Sequence, residues 1–578
     1  MPEFLSKKFD YIIVGGGTAG LLVAARLTEN PNIHVGVLEA GDSKIDDPNV
    51  DRPEKFPNTL NNPEYDWVFH STPQTGNNNR VHHVPRGRML GGSSGINFMA
   101  YIRPAAEDID LWEKMGNTGW SWEELRTYYL KSERFHGRNE AVGSGEIYRS
   151  TTSHGDSGPI ITSLPSAKPP IEERFIAAFD EVSGSLRAED PYGGKPLGLY
   201  EHLSTVDPEH GTRSYAASAF LHPHRGRKNL QILPGATVCR ILHDTNKDTF
   251  TATGVEFLYQ GVIHRVSASI EIILAAGSIQ TPQLLELSGI GDPRVLHATD
   301  IDCTLAIPDV GNNLCEHPMT SLTYAIDGKA SAHGGVSLIA FLPYGSLVPQ
   351  GELDQAVGRI DRVGSLSEVE RQAVRSRLQD PASGAVQLNG ISAYVDIESG
   401  HTDRGKLIPD VSGHEQIYYS FLVTITSTLS RGSTHVVSSD PLVPPAIDLG
   451  LLNEEADVDL LAAGLEFADR VFSSRQVSDQ VLKRVVPDPE TDLRNRAQGR
   501  EFVRDWATSF NHILGTCAMG KVVDERLQVK GMSGLRIVDA SVIPTQISGN
   551  VLATVYAVAE RAADMIKEDH QSFTLLGR

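Results

Sequence analysis

The chain has 578 residues, of which 40% are hydrophobic and 22% charged, so it holds enough apolar material for more than one core and is not dominated by disorder. Its 52 Lys and Arg residues against 73 Asp and Glu residues give a formal net charge of −21. Because a polyanion is repelled by such a charge and no long basic run is present, nucleic acid is excluded as an expected partner.

The first forty residues predict a complete βαβ unit. Phe9–Val14 is a short apolar run typical of a buried strand, and Gly15-Gly16-Gly17-Thr18-Ala19-Gly20 follows it directly. Leu21–Thr28 has the composition of a helix, and His34–Leu38 predicts a second strand that ends at Glu39. The order strand, glycine turn, helix, strand and acid indicates a dinucleotide-binding fingerprint.

The glycines and the acid of this fingerprint each have a physical role. Gly15 permits the tight turn, Gly17 lets the backbone approach a pyrophosphate, and Gly20 lets the helix pack against the strand. The N-terminus of the helix presents free N–H groups and the positive end of its dipole to the phosphates. Glu39, nineteen residues after Gly20, predicts a carboxylate that accepts hydrogen bonds from ribose hydroxyls.

Further elements follow in chain order, after a long polar stretch from Gly41 to Pro104 that predicts a functional loop. Apolar periodicity and capping residues predict helices at Ala106–Lys114, from the cap Ser121 onward, at Pro170–Val182, from a capping box at Ser365–Glu368, at Ala456–Phe472 and at Val551–Lys567. Strands are predicted at Asn229–Leu233, Val238–His243, Ala252–Leu258, Ser269–Ala275 and Ile417–Thr426.

Three more clusters carry residues suited to chemistry. The glycine turn Gly87–Pro104 can bring backbone N–H groups and Asn97 close to a planar ring that is rich in acceptors. A second cluster, Gly277–Gly291, follows a strand directly. The last cluster begins with Asn511-His512-Ile513-Leu514-Gly515-Thr516 and continues through Leu535–Pro544 to Ser548-Gly549-Asn550-Val551.

Together these ordered motifs resemble the glucose–methanol–choline (GMC) family of flavoprotein oxidoreductases over nearly the whole chain. The resemblance implies an α/β fold with a doubly wound, Rossmann-like FAD-binding domain and a substrate domain built on an antiparallel sheet flanked by helices. The FAD-binding domain is expected to be discontinuous, with residues 1–158, 206–324 and 507–578, and the substrate domain to comprise residues 159–205 and 325–506. FAD is therefore the expected cofactor.

The resemblance also assigns cofactor-binding positions. Thr18 and Ala19 are placed at the diphosphate, Ala40 joins Glu39 at the adenosine ribose, and the backbone of Val238 is placed at the adenine. Four consecutive residues are expected along the isoalloxazine ring: Asn97, Phe98, Met99 and Ala100. Asp539 and Ala540 are expected beside the diphosphate and ribityl chain. Val551 is expected to open a helix whose N-terminus points at the flavin pyrimidine.

His512 and Asn550 are the predicted catalytic residues. By resemblance, His512 faces flavin N5, where a neutral imidazole with a pKa near the working pH could accept the hydroxyl proton of an alcohol. Family members carry His or Asn at the position of Asn550, and an amide there can donate to the substrate oxygen. The alternative role for Asn550 is a helix N-cap.

Other residues bear on the cofactor and the pocket. Ile96 occupies a place where a histidine in some family members bonds covalently to the flavin, so noncovalent FAD is expected. The pair His82-His83 is interpreted as part of a solvated loop, and the segment around Glu316 as structural. Two readings are open for Tyr394, Tyr418, Tyr419 and Phe421, which suit either an apolar substrate pocket or ordinary core.

The resulting prediction is FAD-dependent oxidation of a small or medium primary alcohol, aromatic ones included, with O2 or another acceptor reoxidising the flavin. The alternative is a non-redox enzyme on the same scaffold, such as a hydroxynitrile lyase or a cyclase that retains FAD.

Sequence features also predict location and rule out other ligands. No metal site is predicted, because the four cysteines form no C-x-x-C pair. The apolar runs are too short to span a membrane. The absence of an apolar N-terminal core, of N-x-S/T sequons and of a peroxisomal tripeptide predicts an intracellular, cytoplasmic protein.

Overall fold

A computed structural model describes residues 2–137, 152–165, 170–246, 249–327, 338–411 and 416–575. The larger sheet of this described chain has eight strands. Its spatial order begins with Leu230–Pro234, Val35–Glu39, Phe9–Val14, Val262–Leu274, Thr249–Tyr259 and Ala236–Asn246, and Met532–Ser533 and Leu535–Ile537 pair alongside Thr249–Tyr259 and Val262–Leu274.

The parallel part of this sheet forms the predicted doubly wound core. Phe9–Val14 lies between two parallel neighbours, Val35–Glu39 and Val262–Leu274, and this explains why five of its six residues are buried. The helix Thr18–Leu27 returns across the sheet and packs against the long helix Leu552–Leu575. The opening βαβ prediction is therefore confirmed, with shifts of a few residues at the ends of its elements.

A second sheet of the described residues has six strands, all antiparallel. Its order is Leu338–Leu342, Val386–Ile391, Ile417–Ile425, Pro318–Ile326 and Val481–Val486, with Thr508–Ser509 paired to Pro318–Ile326. The helix Glu455–Phe472 packs on this sheet and on the helix Arg496–Trp506. The predicted fold class, a doubly wound unit joined to an antiparallel sheet flanked by helices, is confirmed.

The two sheets share chain segments near the predicted domain boundaries. The boundary between residues 324 and 325 falls inside the strand Pro318–Ile326, which lies within the antiparallel sheet. Residues 507–578 contribute Thr508–Ser509 to that same sheet. The division into discontinuous domains remains a prediction.

Shorter elements complete the described chain. A four-stranded sheet contains Ala100–Tyr101, Leu203–Ser204, Ile160–Ser163 and Glu133–His136. Other helices are Pro2–Ser6, Pro48–Asp51, Ala106–Lys114, Trp122–Ser132, Pro170–Ser183, Gly277–Leu287, Pro293–Ala298, Gln350–Ile360, Glu368–Gln379 and Ile397–Thr402. No helix of the described residues is long and apolar enough to cross a membrane.

One predicted helix start is wrong by two residues. The sequence contains two overlapping S-x-x-E patterns, and the structure uses Ser367 with Glu370 rather than Ser365 with Glu368. Ser367 Oγ accepts from the backbone N–H of Glu370, whose carboxylate accepts from the N–H of Ser367 at 2.8 Å. Glu370 is also buried beside Arg431, and this tertiary contact favours the second pattern.

Candidate active site

A long cavity lies at the carboxyl ends of the parallel strands and extends to the antiparallel sheet. Almost every predicted site residue borders it: Gly15, Gly17, Thr18, Ala19, Glu39, Ala40, Asn97, Phe98, Met99, Ala100, Val238, His512, Asp539, Ala540, Asn550 and Val551. The exception is Gly20, which lies behind the cavity wall. The position agrees with the general rule that open α/β sheets bind ligands outside the carboxyl ends of their strands.

The glycine turn has the geometry that a diphosphate requires. Gly15 has a φ of +102°, and a Cβ there would collide with the carbonyl oxygen of Ala275. A Cβ on Gly20 would collide with the carbonyl oxygen of Gly15, which explains why Gly20 acts in packing only. Gly17 is the N-cap of the helix, and the first turn contains no acid. The helix therefore presents free N–H groups to the cavity.

Glu39 lies beside this turn and is almost fully buried. Its Oε2 accepts from the N–H of Gly16 and its Oε1 from the N–H of Gly41, each at 2.8 Å. Burial raises the pKa of Glu39 to about 7, although both backbone donors favour the ionised form. Each carboxylate oxygen has further acceptor capacity, so the group can also receive a ribose hydroxyl.

The strip from Asn97 to Ala100 is held by hydrogen bonds within the protein. Asn97 Oδ1 accepts from the N–H of Met99 at 2.9 Å and from Arg213 Nη1 at 2.8 Å. Met99 has a φ of +62°, in a region that non-glycine residues rarely occupy. Gly92, on the loop before the strip, packs so closely on the first glycine turn that a Cβ would lie 2.8 Å from Gly17 Cα. The two glycine segments therefore form one continuous wall.

Asp539 borders the cavity but directs its carboxylate into the surrounding frame. Oδ2 accepts from the N–H of Gly277 at 2.9 Å and from Thr281 Oγ1 at 2.6 Å, and Oδ1 accepts from the N–H of Ser541 at 2.8 Å. The side chain thus joins the helix that begins at Gly277 to the segment that carries Ala540. Contacts of this segment with a ligand would be made largely by its backbone.

His512 borders the other end of the cavity and is buried, with 7% of its surface exposed. Its Nε2 lies 3.1 Å from Asn550 Nδ2, and its Nδ1 lies 2.9 Å from His317 Nδ1. The backbone N–H of His512 donates to Glu316 Oε1 at 2.9 Å. The ring also contacts Phe510, with the ring centroids 4.6 Å apart. The imidazole is thereby fixed on three sides.

The comparison with known proteins identifies this arrangement. The family description "GMC oxidoreductase" matches residues 9–319 with its N-terminal part and residues 428–559 with its C-terminal part. The chain belongs to the GMC oxidoreductase family. This membership confirms the predictions of an oxidoreductase and of FAD as the cofactor, and the glycine turn, Glu39 and the fixed strip fit an FAD molecule.

Full-length relatives and solved structures agree with this membership. Dehydrogenase mpl7 of Monascus purpureus is 45% identical over 607 aligned residues, which cover 98% of this chain and 97% of that protein. The alcohol dehydrogenase (acceptor) of Pseudomonas putida is 30% identical, covering 96% and 95% of the two chains. The solved FAD-dependent oxidoreductase of Chaetomium thermophilum has a TM-score of 0.86 at 28% identity, covering 98% of this chain and 100% of its own.

Two residues that contact His512 were given no role at the site from the sequence. Glu316 is interpreted from the sequence as structural, and its carboxylate does hold the frame of the site by accepting from the N–H groups of His512 and His317 and from Ser509 Oγ. His317 was not singled out, although its ring touches His512. The sequence offered one indication, an acid next to a histidine within a motif of the family. The contact between His317 and His512 could not be predicted, because 195 residues of chain separate them.

The environment of His512 differs from the sequence-based expectation. Burial, with the nearby His317 and Arg86, holds the pKa of His512 well below its usual value of 6.5. Burial also lowers the pKa of His317 to about 3. The expected pKa near the working pH is therefore wrong for this structure, and both rings are neutral at physiological pH.

One smaller expectation is wrong, and one of two open alternatives is favoured. His82 and His83 are fully buried rather than solvated, with His82 Nε2 lying 2.7 Å from Asn77 Oδ1 and His83 Nε2 lying 2.9 Å from Asp66 Oδ2. The four aromatic residues Tyr394, Tyr418, Tyr419 and Phe421 do not border the cavity. Tyr419 instead stacks on Phe175 in the core beside the antiparallel sheet, with the centroids 3.8 Å apart.

Proposed function

We propose that this enzyme oxidises a small or medium primary alcohol, aromatic ones included, to the corresponding carbonyl compound, with His512 as the general base. The observation that carries the proposal is the His512 ring, which is buried at the cavity wall with Nε2 beside the amide of Asn550. The relative in Pseudomonas putida, described as an alcohol dehydrogenase, supports an alcohol as the substrate.

His512 provides the proton acceptor. An alcohol becomes a good hydride donor only as its hydroxyl proton leaves, and a neutral imidazole within hydrogen-bonding distance can accept that proton. Since the lowered pKa keeps His512 unprotonated at neutral pH, Nε2 is ready to receive the proton without a preceding ionisation. A hydrogen on Nδ1, directed at His317, leaves Nε2 as the acceptor, and a substrate hydroxyl would replace the Asn550 amide as the donor to it.

Asn550 orients the reacting oxygen. Its amide nitrogen lies beside His512 Nε2, and its Oδ1 is buried without a partner in the described part of the chain. The N–H groups of the amide can donate to the substrate oxygen while the charge on that oxygen grows. A hydroxyl between the two side chains would accept from Asn550 and donate to His512.

The residues around the cavity would hold FAD without a covalent bond. Ile96 borders the cavity and has no group that can bond to the flavin. FAD, when bound, supplies N5 as the acceptor of the hydride that leaves the carbinol carbon. The alcohol thus gives up one hydride and one proton, and His512 retains the proton. The helix Leu552–Leu575 begins at the cavity, where the positive end of its dipole stabilises negative charge.

An anaerobic panel of alcohols tests the proposal. Alcohols that are substrates should bleach the yellow absorbance of the bound FAD in the absence of oxygen and yield one equivalent of carbonyl product. Admitting O2 should then restore the colour if O2 is the acceptor, whereas recovery only with an added quinone assigns a dehydrogenase. Turnover of an alcohol or cyanohydrin without any bleaching would contradict the proposal and favour a non-redox reaction.

A further inference from the structure

The substrate end of the cavity, next to His512, is walled by apolar side chains. Aliphatic residues of one small core cluster border it, together with Phe98 and Phe510: Met319, Ile391, Val395, Leu407 and Leu422. Such a wall fits the hydrocarbon or aromatic body of a substrate, because apolar contact carries most of the binding in pockets of this type.

Arg404 is a charged exception at this apolar end. It borders the cavity while only 1% of its surface is exposed. Its Nη2 donates to Thr508 Oγ1 at 3.1 Å and to the carbonyl oxygen of Ser509 at 2.8 Å. Its Nε and Nη1 are buried and have no hydrogen-bond partner in the described part of the chain. Buried donors without partners are costly, and in native proteins they often mark a functional contact.

The charge of Arg404 also lacks a counterion of its own. It forms no ion pair with any described carboxylate, and the anionic neighbour that affects it is Glu316. Arg86 shares Glu316 and additionally has Asp66 as a neighbour. Burial lowers the pKa of Arg404 to about 10, which still leaves the guanidinium cationic at neutral pH. A buried cation of this kind is stabilised by an anion that arrives with a ligand.

The guanidinium lies within reach of the reacting centre. Arg404 Nη2 binds the carbonyl oxygen of Ser509, whose Cα is at most about 10 Å from the Cα of His512, three residues further along the chain. Both residues border the same cavity.

We propose that Arg404 binds an anionic oxygen group, a carboxylate or an ionised phenol, on the substrate, about one aromatic ring away from the alcohol carbon that His512 serves. The proposal rests on the alcohol oxidation proposed above and specifies the class of alcohol. Nε and Nη1 of Arg404 donate to the anionic oxygens, the apolar wall covers the ring, and the hydroxymethyl group reaches His512 and Asn550.

Matched substrates test this specificity. We expect kcat/KM for anaerobic flavin reduction to be about 10- to 100-fold higher with 4-(hydroxymethyl)benzoate than with 4-(hydroxymethyl)benzamide, the range of a charge-assisted hydrogen bond. For the phenolate class, 4-hydroxy-3-nitrobenzyl alcohol, whose phenol ionises near neutral pH, is compared with its methyl ether. Equal values within both pairs would overturn the proposal, and a preference in one pair assigns the anion.

Variants of Arg404 test whether this residue causes the preference for the anionic substrate. Arg404→Gln should reduce the ratio of the two kcat/KM values to about 1, and Arg404→Lys should retain part of it, because a point charge replaces the planar donor group. Arg536, equally buried but paired with Glu271 and Asp569 outside the cavity, provides the control. Arg536→Gln should keep the wild-type ratio. An unchanged ratio in Arg404→Gln would overturn the assignment.

A binding measurement on the wild-type holoenzyme does not depend on the folding of any variant. The unreactive 4-methylbenzoate should perturb the absorbance of bound FAD with a Kd about 10-fold or more below that of 4-methylbenzamide. Equal affinities would overturn the anion site. If 4-methylbenzoate binds preferentially but no alcohol bleaches the flavin, the anion site stands and the proposed oxidation fails. If neutral and anionic alcohols bleach it equally, the oxidation stands and the anion site fails.

Discussion

His317 Nδ1 lies 2.9 Å from His512 Nδ1, so the two imidazoles share one hydrogen between them. Both rings are buried, and the pKa of each is lowered, which makes both neutral at physiological pH. With the shared hydrogen on His512 Nδ1, the Nε2 of that ring is an acceptor, consistent with the neighbouring Nδ2 of Asn550 as its donor. We therefore propose that His317 is a positioning residue that holds this hydrogen on His512 Nδ1.

Replacing His317 should weaken the base without removing it. His317→Phe keeps a ring of similar size but leaves Nδ1–H of His512 unpartnered, and we expect the rate constant of flavin reduction to fall about 10- to 100-fold. The pKa of His512 should also fall further, because burial is the main cause of its lowered value and a phenyl ring cannot accept from Nδ1–H of the protonated imidazole, so the acid limb of the pH–rate profile should move to lower pH.

The buried His401 provides the matched control for that variant. It donates from Nε2 to the carbonyl oxygen of Ala507 at 3.1 Å and does not border the cavity. His401→Phe should reduce stability while leaving the position of the acid limb unchanged. If His317→Phe behaves in the same way as His401→Phe, the role assigned to His317 in selecting the tautomer is contradicted.

The fold and the cavity wall could be predicted from the sequence because their determinants are local. The helix Ala106–Lys114 has the predicted bounds, and the turn from Gly15 to Gly20 needs glycine for reasons that its own backbone dictates. By contrast, the pairing of His317 with His512 and the burial of His82 depend on segments that are far apart in the chain. No local pattern distinguishes such a buried histidine from a solvated one.

The roles assigned to individual site residues remain predictions, even where the cavity brings the residues together. Asn97 illustrates the difficulty, because its side-chain oxygen is already used by Met99 and Arg213 and contributes to the frame. Asp539 is similar, with its carboxylate turned towards Gly277 and Thr281. A motif predicts that such a residue is needed. Only the tertiary contacts show whether its side chain bonds within the protein or can contact the ligand.

Removal of the proposed base should affect chemistry much more than cofactor binding. In His512→Ala, we expect flavin reduction by alcohol to slow by about 10²-fold or more, the scale of general-base catalysis. FAD should stay bound, because the glycine turn and Glu39 lie at the other end of the cavity. Stopped-flow absorbance measures the rate, and the absorbance spectrum of the purified variant reports the bound FAD. Reduction at the wild-type rate would rule out His512 as the base.

Asn550→Ala separates a substrate contact from a helix cap. If the amide donates to the substrate oxygen, kcat/KM should fall about 10-fold while the melting temperature changes little. An N-cap role would instead lower the free energy of unfolding by about 1 kcal/mol with kcat/KM unchanged, but the structure disfavours it, because the helix begins at Leu552 and Asn550 Oδ1 accepts no hydrogen bond in the described part of the chain. Parallel steady-state kinetics and thermal unfolding of the variant distinguish the two outcomes.

The pH dependence of flavin reduction should reflect the buried state of His512. Only the neutral imidazole can accept the proton, so activity is lost as the pH falls through the pKa of His512. Because burial holds this pKa well below 6.5, the rate constant with a neutral alcohol should stay constant from alkaline pH down to below 6.5. An inflection at pH 7 or above in wild-type enzyme would indicate a different base or a solvated His512.

Glu39 should make FAD binding depend on pH near neutrality. Its pKa of about 7 means that the carboxyl is protonated below this pH, and the ionised form is the better acceptor for a ribose hydroxyl. Binding that favours the ionised form lowers the pKa, so the affinity of the apoprotein for FAD should rise as the pH increases through 7. In Glu39→Gln, the amide cannot ionise. Its NH2 group, a donor, would also face the N–H donor of Gly16 or Gly41, so one of these hydrogen bonds is lost. We expect a Kd for FAD about 10- to 100-fold higher, with no step near pH 7, in fluorescence titrations. A wild-type affinity that does not change across this range would show that Glu39 serves only the glycine turn.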